Sequence, residues 1–319
     1  MSLAAKPRAI VITGPTGTGK TTLAVEVAER VDGEIISADS RQIYRHMDIG
    51  TAKPSAALRQ RVPHHGLDVL DPDETYSAGR FARDASGRIE EVRGRGRVPL
   101  VVGGTGFFIR ALLAPLGPEP EVEPDRRARL RRYLSDLRVD ELHRWLERLD
   151  RKRAEQLQGE GGGQRIARSL EVVLLSGRRH SWWFARPPET PTLPARVFCL
   201  TLPRDELYRR IDERFERMLA AGLLDEVRAL SARYPERSPG LKSLGYAELS
   251  VHLRGACTLE QAVEEAKRST HRFARRQLTW FRHQLPDDTI WLDAERPVAE
   301  LTAAVVQSWM HSDADLARG

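Results

Sequence analysis

Eight consecutive residues near the amino terminus have the composition of a phosphate-binding loop. Residues 14–21, GPTGTGKT, match the pattern GxxxxGK[ST] and lie between an apolar β-branched run at 9–13 and a helical segment at 21–30. Glycines let successive backbone N–H groups face one anion, and the N-terminus of the following helix adds its dipole. We therefore predict that phosphate oxygens bind to Gly14, Pro15, Thr16, Gly17, Thr18, Gly19, Lys20 and Thr21.

Two side chains of this loop are predicted to have separate roles. The Lys20 ammonium is expected to reach the terminal phosphate oxygens, and the Thr21 hydroxyl is expected to bind Mg²⁺. A nucleotide hydrolase commonly has a magnesium-binding aspartate after a later apolar strand, but here residues 100–102 are followed by GGTG. Phosphate binding is thus predicted, and an ordinary nucleotide hydrolase is disfavoured.

Short apolar runs alternate with helical segments over most of the chain. Strands are predicted at 9–13, 35–36, 100–102, 197–202 and 289–292, and their glycine-rich ends indicate a parallel α/β sheet. Residues 125–177 instead show helical periodicity, between proline-rich linkers at 115–124 and 186–194. We predict a P-loop NTPase-like parallel sheet core formed by residues 1–117 and 196–319, with an inserted all-helical domain at residues 118–195.

The composition is that of a globular protein without disulfide bonds. Two cysteines without a C-x-x-C pair argue against a disulfide framework or a cysteine zinc site. We find neither a spanning apolar stretch nor a signal peptide, so we expect a cytoplasmic protein that does not bind a membrane. The net charge of +6 permits a polyanionic partner, although a solvated basic surface explains it equally well.

Several sequence blocks resemble the tRNA dimethylallyltransferases in their order along the chain. Residues 37–54, SADSRQIYRHMDIGTAKP, resemble the second signature block of that family almost position for position. The further blocks are VGGTGFF at 102–108, QRIAR at 164–168, IDERF at 211–215, LGY at 244–246 and RRQLTWFR at 275–282. The resemblance implies Mg²⁺-dependent transfer of dimethylallyl from its diphosphate to the exocyclic amine of the adenosine immediately 3′ of the anticodon in tRNA.

The resemblance and the chemistry of the reaction together suggest the catalytic residues. An adenine amine is a poor nucleophile, so a carboxylate that accepts its proton would help, and Asp39 at a strand end is the predicted general base. By resemblance, Arg214 stabilises the departing diphosphate and Thr105 contacts the target nucleotide. The alternatives are that Asp39 or Thr105 caps a turn and that Arg214 is a surface ion-pair partner on a charged helix.

Contacts with tRNA are predicted on the core and on the insertion. Residues 267–283 are predicted to form one helix, with Ala274, Leu278, Phe281 and Leu285 facing the protein core and arginines on another face. By resemblance, the insertion grips the anticodon stem-loop, and the target base is flipped into a channel that reaches the phosphate loop. The predicted tRNA-binding residues are Asp39, Ser40, Arg41, Gln42, Thr105, Arg127, Gln164, Arg165, Ile166, Ala167, Arg168, Arg275, Arg276, Gln277, Trp280 and Arg282.

Other functions remain open at the level of sequence. An isopentenyltransferase acting on free adenine nucleotides, a small-molecule kinase and a non-catalytic RNA-binding protein would share parts of the pattern. The sequence also departs from the family at Gly161–Gly163, at Phe108 in place of a common tyrosine, and at Ala247 in place of a frequent lysine. These departures concern RNA affinity and leave the predicted reaction unchanged, and we expect the protein to be a monomer.

Overall fold

The computed structural model describes residues 8–114, 117, 120, 122–158, 163–186 and 192–314. The chain divides into two compact units, one formed by Met1–Ala114 with Thr192–Gly319 and the other by Pro115–Pro191. These divisions lie close to the predicted boundaries at 117/118 and 195/196. Most residues of the two predicted linkers lie outside the described residues.

The first unit contains a six-stranded sheet in which every neighbouring pair is parallel. The spatial order is β3-β2-β4-β1-β5-β6. The strands are β1 (Ala9–Thr13), β2 (Gly33–Ser37), β3 (His64–His65), β4 (Val98–Val102), β5 (Ala195–Thr201) and β6 (Ile290–Asp293). Because all strands run the same way, their carboxyl ends meet at one edge of the sheet, where parallel α/β sheets bind ligands. The predicted parallel α/β core is confirmed.

Four helices of this unit precede the insertion, namely α1 (Lys20–Arg30), α2 (Ala56–Arg61), α3 (Ala78–Gly94) and α4 (Gly106–Leu113). Helix α1 follows the phosphate loop directly and buries Leu23, Val27 and their neighbours. These side chains pack against Ile10, Ile12 and Leu100 of the sheet in one hydrophobic core. The β-branched strands and the helix therefore hold both ends of the phosphate loop.

In the second unit, all regular elements among the described residues are helices. It contains α5 (Pro124–Ser135), α6 (Val139–Leu149), α7 (Arg151–Gln156), α8 (Gly163–Ser176) and α9 (His180–Phe184). Its own hydrophobic core includes Leu134, Leu142, Leu146, Ile166 and Leu170. This hydrophobic core therefore consists of side chains of the insertion itself.

Five helices of the first unit follow the insertion, namely α10 (Arg204–Ala220), α11 (Leu223–Arg233), α12 (Tyr246–Leu253), α13 (Leu259–Gln284) and α14 (Val298–Ala314). Met47 and Tyr246 lie in a second hydrophobic cluster formed with α10 to α13. Helix α13 is longer than the predicted 267–283, because Thr258 caps it by accepting from the Gln261 N–H. In the part of the chain that the structure describes, no helix is long and apolar enough to cross a membrane.

Candidate active site

The phosphate loop occupies the turn between β1 and α1. Gly14 has a φ of +143°, and a Cβ there would lie 2.6 Å from the Leu200 carbonyl oxygen, so only glycine fits. Gly17 and Gly19 have φ values of +87° and +84°, which a side chain rarely tolerates. Within the loop, the buried Thr18 hydroxyl donates to the Pro15 carbonyl over 2.9 Å. The loop therefore has the tight backbone that the pattern predicts.

Two basic side chains lie at this loop. Lys20 Nζ donates to the carbonyls of Gly14 and Pro15 over 2.9 and 2.7 Å, and burial lowers its pKa to about 8 against the opposing effect of Asp39. Arg214 Nη1 donates to Thr16 Oγ1 over 3.5 Å, and burial also lowers its pKa. A bound polyanion would restore the electrostatic balance of these partly desolvated cations.

The second loop of the site follows β2 and meets the loop that follows β4. Asp39 Oδ1 accepts from the Arg41 N–H over 2.8 Å, so this carboxylate does cap a turn while its other oxygen has no protein donor among the described residues. Thr105 Oγ1 accepts from the Ser40 N–H over 2.9 Å and donates to Ser40 Oγ over 3.2 Å. Thr105 precedes α4 but its side chain makes no helix cap. It instead joins the two loops.

One cavity of about 1110 Å³ brings these residues together. Its polar lining includes Lys20, Thr21, Asp39, Thr105 and Arg214. Its apolar lining includes Ile49, Leu58, Ile211, Phe215 and Met218. Cations and backbone donors thus lie in the same cavity as an apolar surface, an arrangement suited to a ligand with an anionic end and a hydrocarbon end.

Helix α13 borders this cavity with Arg276, Gln277 and Trp280. Arg275 and Arg282 are exposed on the same helix, and within the described ranges no ion pair engages either of them. The Gln277 side chain is 8% exposed and both ends of its amide bind protein backbone, and its contact with tRNA stays a prediction. Gln277 occupies the buried face with Ala274 and Phe281, and Leu278 is only half-buried.

Comparisons of the sequence with known proteins identify the family to which the chain belongs. The sequence profile of the IPP transferase family matches residues 42–284, and that of isopentenyl transferases matches residues 7–63. A tRNA dimethylallyltransferase of Thermomicrobium roseum is 43% identical over 90% of this chain and 87% of its own length. One of Halorhodospira halophila is 44% identical over 86% of this chain and 90% of its own length. The chain belongs to the IPP transferase family.

Solved structures of related proteins have the same fold. A full-length tRNA isopentenylpyrophosphate transferase from Bacillus halodurans matches with a TM-score of 0.70 and 33% identity, covering 99% of this chain and all of that one (100%). A eukaryotic dimethylallyltransferase acting on tRNA matches with a TM-score of 0.78 and 27% identity, covering 90% of this chain and 73% of that one. The family fold therefore extends over both units of the chain.

The residues around the phosphate loop fit the magnesium ion that the sequence predicts, if the ion is held mainly by its substrate. Thr21 lines the cavity, and its hydroxyl makes no hydrogen bond to protein in the described part of the chain. No group of three or more His, Cys, Asp or Glu residues that could hold a metal occurs among the described residues. Mg²⁺ commonly binds one or two protein oxygens together with phosphate oxygens and waters, and Thr21 offers such an oxygen.

The predicted RNA-binding residues of the insertion divide into exposed and structural side chains. Gln164 and Arg165 are exposed at the start of α8. Arg127 and Arg168 form ion pairs with the buried Glu171. Ala167 packs against the insertion's hydrophobic core from a half-buried position. The Ile166 side chain belongs to that core at 3% exposure, and the contact of this residue with tRNA stays a prediction.

Two further side chains that the sequence singles out make contacts within the protein. Gln42 Nε2 donates to the carbonyls of Thr51 and Ala52, and its Oε1 accepts from the Ser37 hydroxyl, so this amide holds a turn rather than extending outwards. Phe108 is buried and stacks on Phe81 with ring centroids 4.5 Å apart, which explains an apolar residue there. Of the predicted glycine patch, residues 161 and 162 lie outside the described residues.

A half-buried hydrogen-bond network that the sequence did not predict supports one side of the cavity. Glu226 Oε2 accepts from the N–H groups of Asp48 and Ile49 over 3.0 and 2.8 Å. Its Oε1 accepts from the Gly50 N–H over 3.2 Å and from the Tyr246 hydroxyl over 2.5 Å. The blocks at 37–54 and 244–246 are thus joined through one carboxylate, for which the sequence alone contained no signal.

Proposed function

We propose that this chain transfers a dimethylallyl group from dimethylallyl diphosphate to the exocyclic amine of the adenosine immediately 3′ of the anticodon in tRNA. The observation that carries the proposal is the single cavity shared by the phosphate loop, the Asp39 loop and an apolar wall. Family membership supports the reaction class, since the relatives compared above are named tRNA dimethylallyltransferases. We further propose a monomeric cytoplasmic enzyme.

The transfer step has a simple electronic balance. The adenine nitrogen forms a bond to the first carbon of the prenyl group while the bond from that carbon to the diphosphate oxygen breaks. The bonding electron pair leaves with diphosphate, and the amine proton passes to the Asp39 carboxylate. In this proposal Asp39 is the general base, and its oxygen that does not accept from Arg41 is available for the proton.

The leaving group needs stabilisation of its growing negative charge. In this proposal the charge is stabilised by Lys20, Arg214 and the backbone N–H groups of the phosphate loop, which lie together in the cavity. When bound, Mg²⁺ held through Thr21 would neutralise part of the diphosphate charge. The apolar residues Ile49, Ile211 and Met218 would hold the prenyl chain and exclude water from it.

The acceptor nucleotide reaches this cavity only after it has left its stack. The exposed Arg275 and Arg282 of α13 are available for phosphate contacts, and Thr105 lies on the side of the cavity where Asp39 would meet the base. The exposed Gln164 and Arg165 of the insertion would contact the anticodon stem-loop. These contacts would make tRNA, and not a free nucleotide, the acceptor.

Transfer of radiolabelled dimethylallyl from its diphosphate tests the proposal. The acceptors are unmodified tRNA with adenosines 3′ of the anticodon and free AMP, both with Mg²⁺. We expect label in tRNA alone, and a loss of about 10²–10⁴-fold in kcat for Asp39→Ala. Asp205→Ala, at an exposed position of α10, is the matched control.

The other outcomes discriminate among the alternative functions. Label in AMP but not in tRNA would indicate a free-nucleotide isopentenyltransferase. Absence of label from both acceptors, together with ATP-dependent phosphorylation of a small molecule, would indicate a kinase. Full activity of Asp39→Ala would contradict the assignment of the base while leaving the reaction intact.

A further inference from the structure

A glutamine in the middle of α13 connects two loops of the cavity. Gln277 Oε1 accepts from the Thr16 N–H of the phosphate loop over 3.0 Å. Its Nε2 donates to the Gly104 carbonyl, in the loop after β4, over 2.7 Å. One side chain of α13 therefore binds both the phosphate loop and the loop after β4, which are far apart in sequence.

Helix α13 packs closely against the backbone at Gly104 and Gly106. A Cβ on Gly104 would lie 2.8 Å from Gln277 Nε2, and one on Gly106 would lie 2.4 Å from the Trp280 ring. Gln277 and Trp280, nearly one turn apart on α13, thus pack closely against Gly104 and Gly106. These glycines allow the helix to approach until both hydrogen bonds of the amide can form.

In the proposed reaction, one of these loops binds the diphosphate leaving group and the other lies at the site of the acceptor nucleotide. Thr16 lies in the phosphate loop and accepts from Arg214, so that side of the amide contacts the diphosphate site. Gly104 precedes Thr105, whose hydroxyl binds Ser40 next to Asp39, so the other side contacts the nucleotide site. The amide therefore lies between the two sites, and together with the Thr13 hydroxyl, which donates to the Gly103 carbonyl over 3.0 Å, it holds the two loops at a fixed separation.

We propose that Gln277 is a positioning residue that sets this separation and does not contact tRNA, an inference that rests on the proposed transfer reaction. An amide suits the bridge because it accepts from an N–H and donates to a carbonyl at once. A carboxylate can only accept, and a protonated carboxyl can do both. Leucine can do neither.

Gln277→Leu and Gln277→Glu separate positioning from RNA binding. In Gln277→Leu, displacement of one loop relative to the other should lower kcat by about a hundredfold, with the KM for tRNA close to that of the unchanged enzyme. Gln261→Glu is the control, since Gln261 is an exposed glutamine at the start of the same helix. Circular dichroism establishes that each variant is folded at the assay temperature.

The pH profile of Gln277→Glu gives the second readout. At high pH the introduced carboxylate repels the Gly104 carbonyl, whereas at lower pH its protonated form donates to that oxygen and restores the bridge. Burial raises the pKa of the introduced carboxyl group and the nearby Lys20 ammonium lowers it, and we expect burial to dominate because burial lowers the pKa of Lys20 itself to about 8. The ratio of the kcat of Gln277→Glu to the kcat of the unchanged enzyme should therefore rise as the pH falls from about 8 to about 6.

Three results would overturn the proposal. One is a raised KM for tRNA with unchanged kcat in Gln277→Leu, which would indicate an RNA contact. Another is a pH-independent kcat ratio for Gln277→Glu, a result that also decides the matter if Gln277→Leu does not fold. The third is unchanged kcat in both variants. Failure of the unchanged enzyme to label tRNA would instead refute the proposed function.

Discussion

Lys20 occupies an unusual position for a lysine side chain. Its ammonium donates to two carbonyls of its own loop, and burial lowers its pKa from 10.5 to about 8. Asp39 opposes this shift and Arg214 adds to it, so the protonation of Lys20 depends on both neighbours. Only the protonated form attracts diphosphate, and the diphosphate site should consequently respond to pH in a range where an ordinary lysine stays charged.

We predict that the affinity for inorganic diphosphate falls as pH rises through about 8. A lysine with its pKa at 10.5 would remain protonated there, whereas a pKa of about 8 leaves half of the Lys20 side chains neutral at pH 8. Isothermal titration calorimetry with diphosphate in the presence of Mg²⁺, between about pH 7 and about pH 9, measures this change in affinity. Lys20→Arg controls for the titration of diphosphate itself, because arginine stays charged. Parallel pH profiles for both proteins would contradict the prediction.

At the level of single residues, sequence reasoning found charged groups more reliably than amide groups. Lys20 and Asp39 lie around one cavity because their motifs follow strands whose carboxyl ends share an edge, and Arg214 lines the same cavity from the middle of α10. Gln277 was predicted to contact RNA because it lies in the block RRQLTWFR, which resembles the family. Its partners Thr16 and Gly104 are distant in sequence, and no local pattern reports whether a polar residue at helical spacing faces solvent or a buried carbonyl.

At the level of elements, the segment between β2 and α2 forms one side of the cavity although it has no regular structure of its own. Its residues 48–50 direct three N–H groups at the Glu226 carboxylate of α11. Tyr246 donates to the same carboxylate and is fully buried. A Cβ on Gly50 would lie 2.4 Å from the Tyr246 ring, so the segment is held at close range.

We predict that Glu226→Ala destabilises the protein by about 2–3 kcal/mol, since several backbone donors and a buried hydroxyl lose a charged acceptor. Ile49 lines the cavity, so the KM for dimethylallyl diphosphate should also rise as the segment loosens. Urea unfolding and steady-state kinetics measure the two effects. Asp225→Ala, at the preceding exposed position of α11, should change stability much less. Equal effects of both substitutions would contradict the special role of Glu226.

Regular elements with strong apolar periodicity were predicted well, and short ones were missed. The strands β1, β4 and β5 were found because they are buried, β-branched runs. Strand β3 has two residues, both histidines, and forms because its backbone pairs with Ile35 and Ile36. No composition signal marks such a strand, since the partner strand alone selects it. The start of α13 was missed although the sequence carries a signal for it, since Ala262, Val263 and Ala266 continue the helical spacing and Thr258 with Gln261 forms a capping box.

At the scale of the whole molecule, the insertion is a separate compact unit with its own interior. Leu146 is fully buried in its hydrophobic core, and the buried Glu171 pairs with Arg127, Arg131 and Arg168. The phosphate loop and its cavity belong entirely to the other unit. Helical periodicity between two proline-rich segments was sufficient to predict this division, because each unit must bury its own apolar faces.

We predict that Leu146→Ala separates tRNA binding from diphosphate binding. Removing this side chain should destabilise the insertion by about 2–5 kcal/mol and lower its protection from hydrogen exchange, while diphosphate affinity measured by titration stays unchanged. Transfer to tRNA should then show a raised KM for tRNA. Leu149→Ala, on the same helix but 37% exposed, is the matched control and should leave all three measurements unchanged. A parallel loss of diphosphate affinity in Leu146→Ala would show that the two units are stable only together.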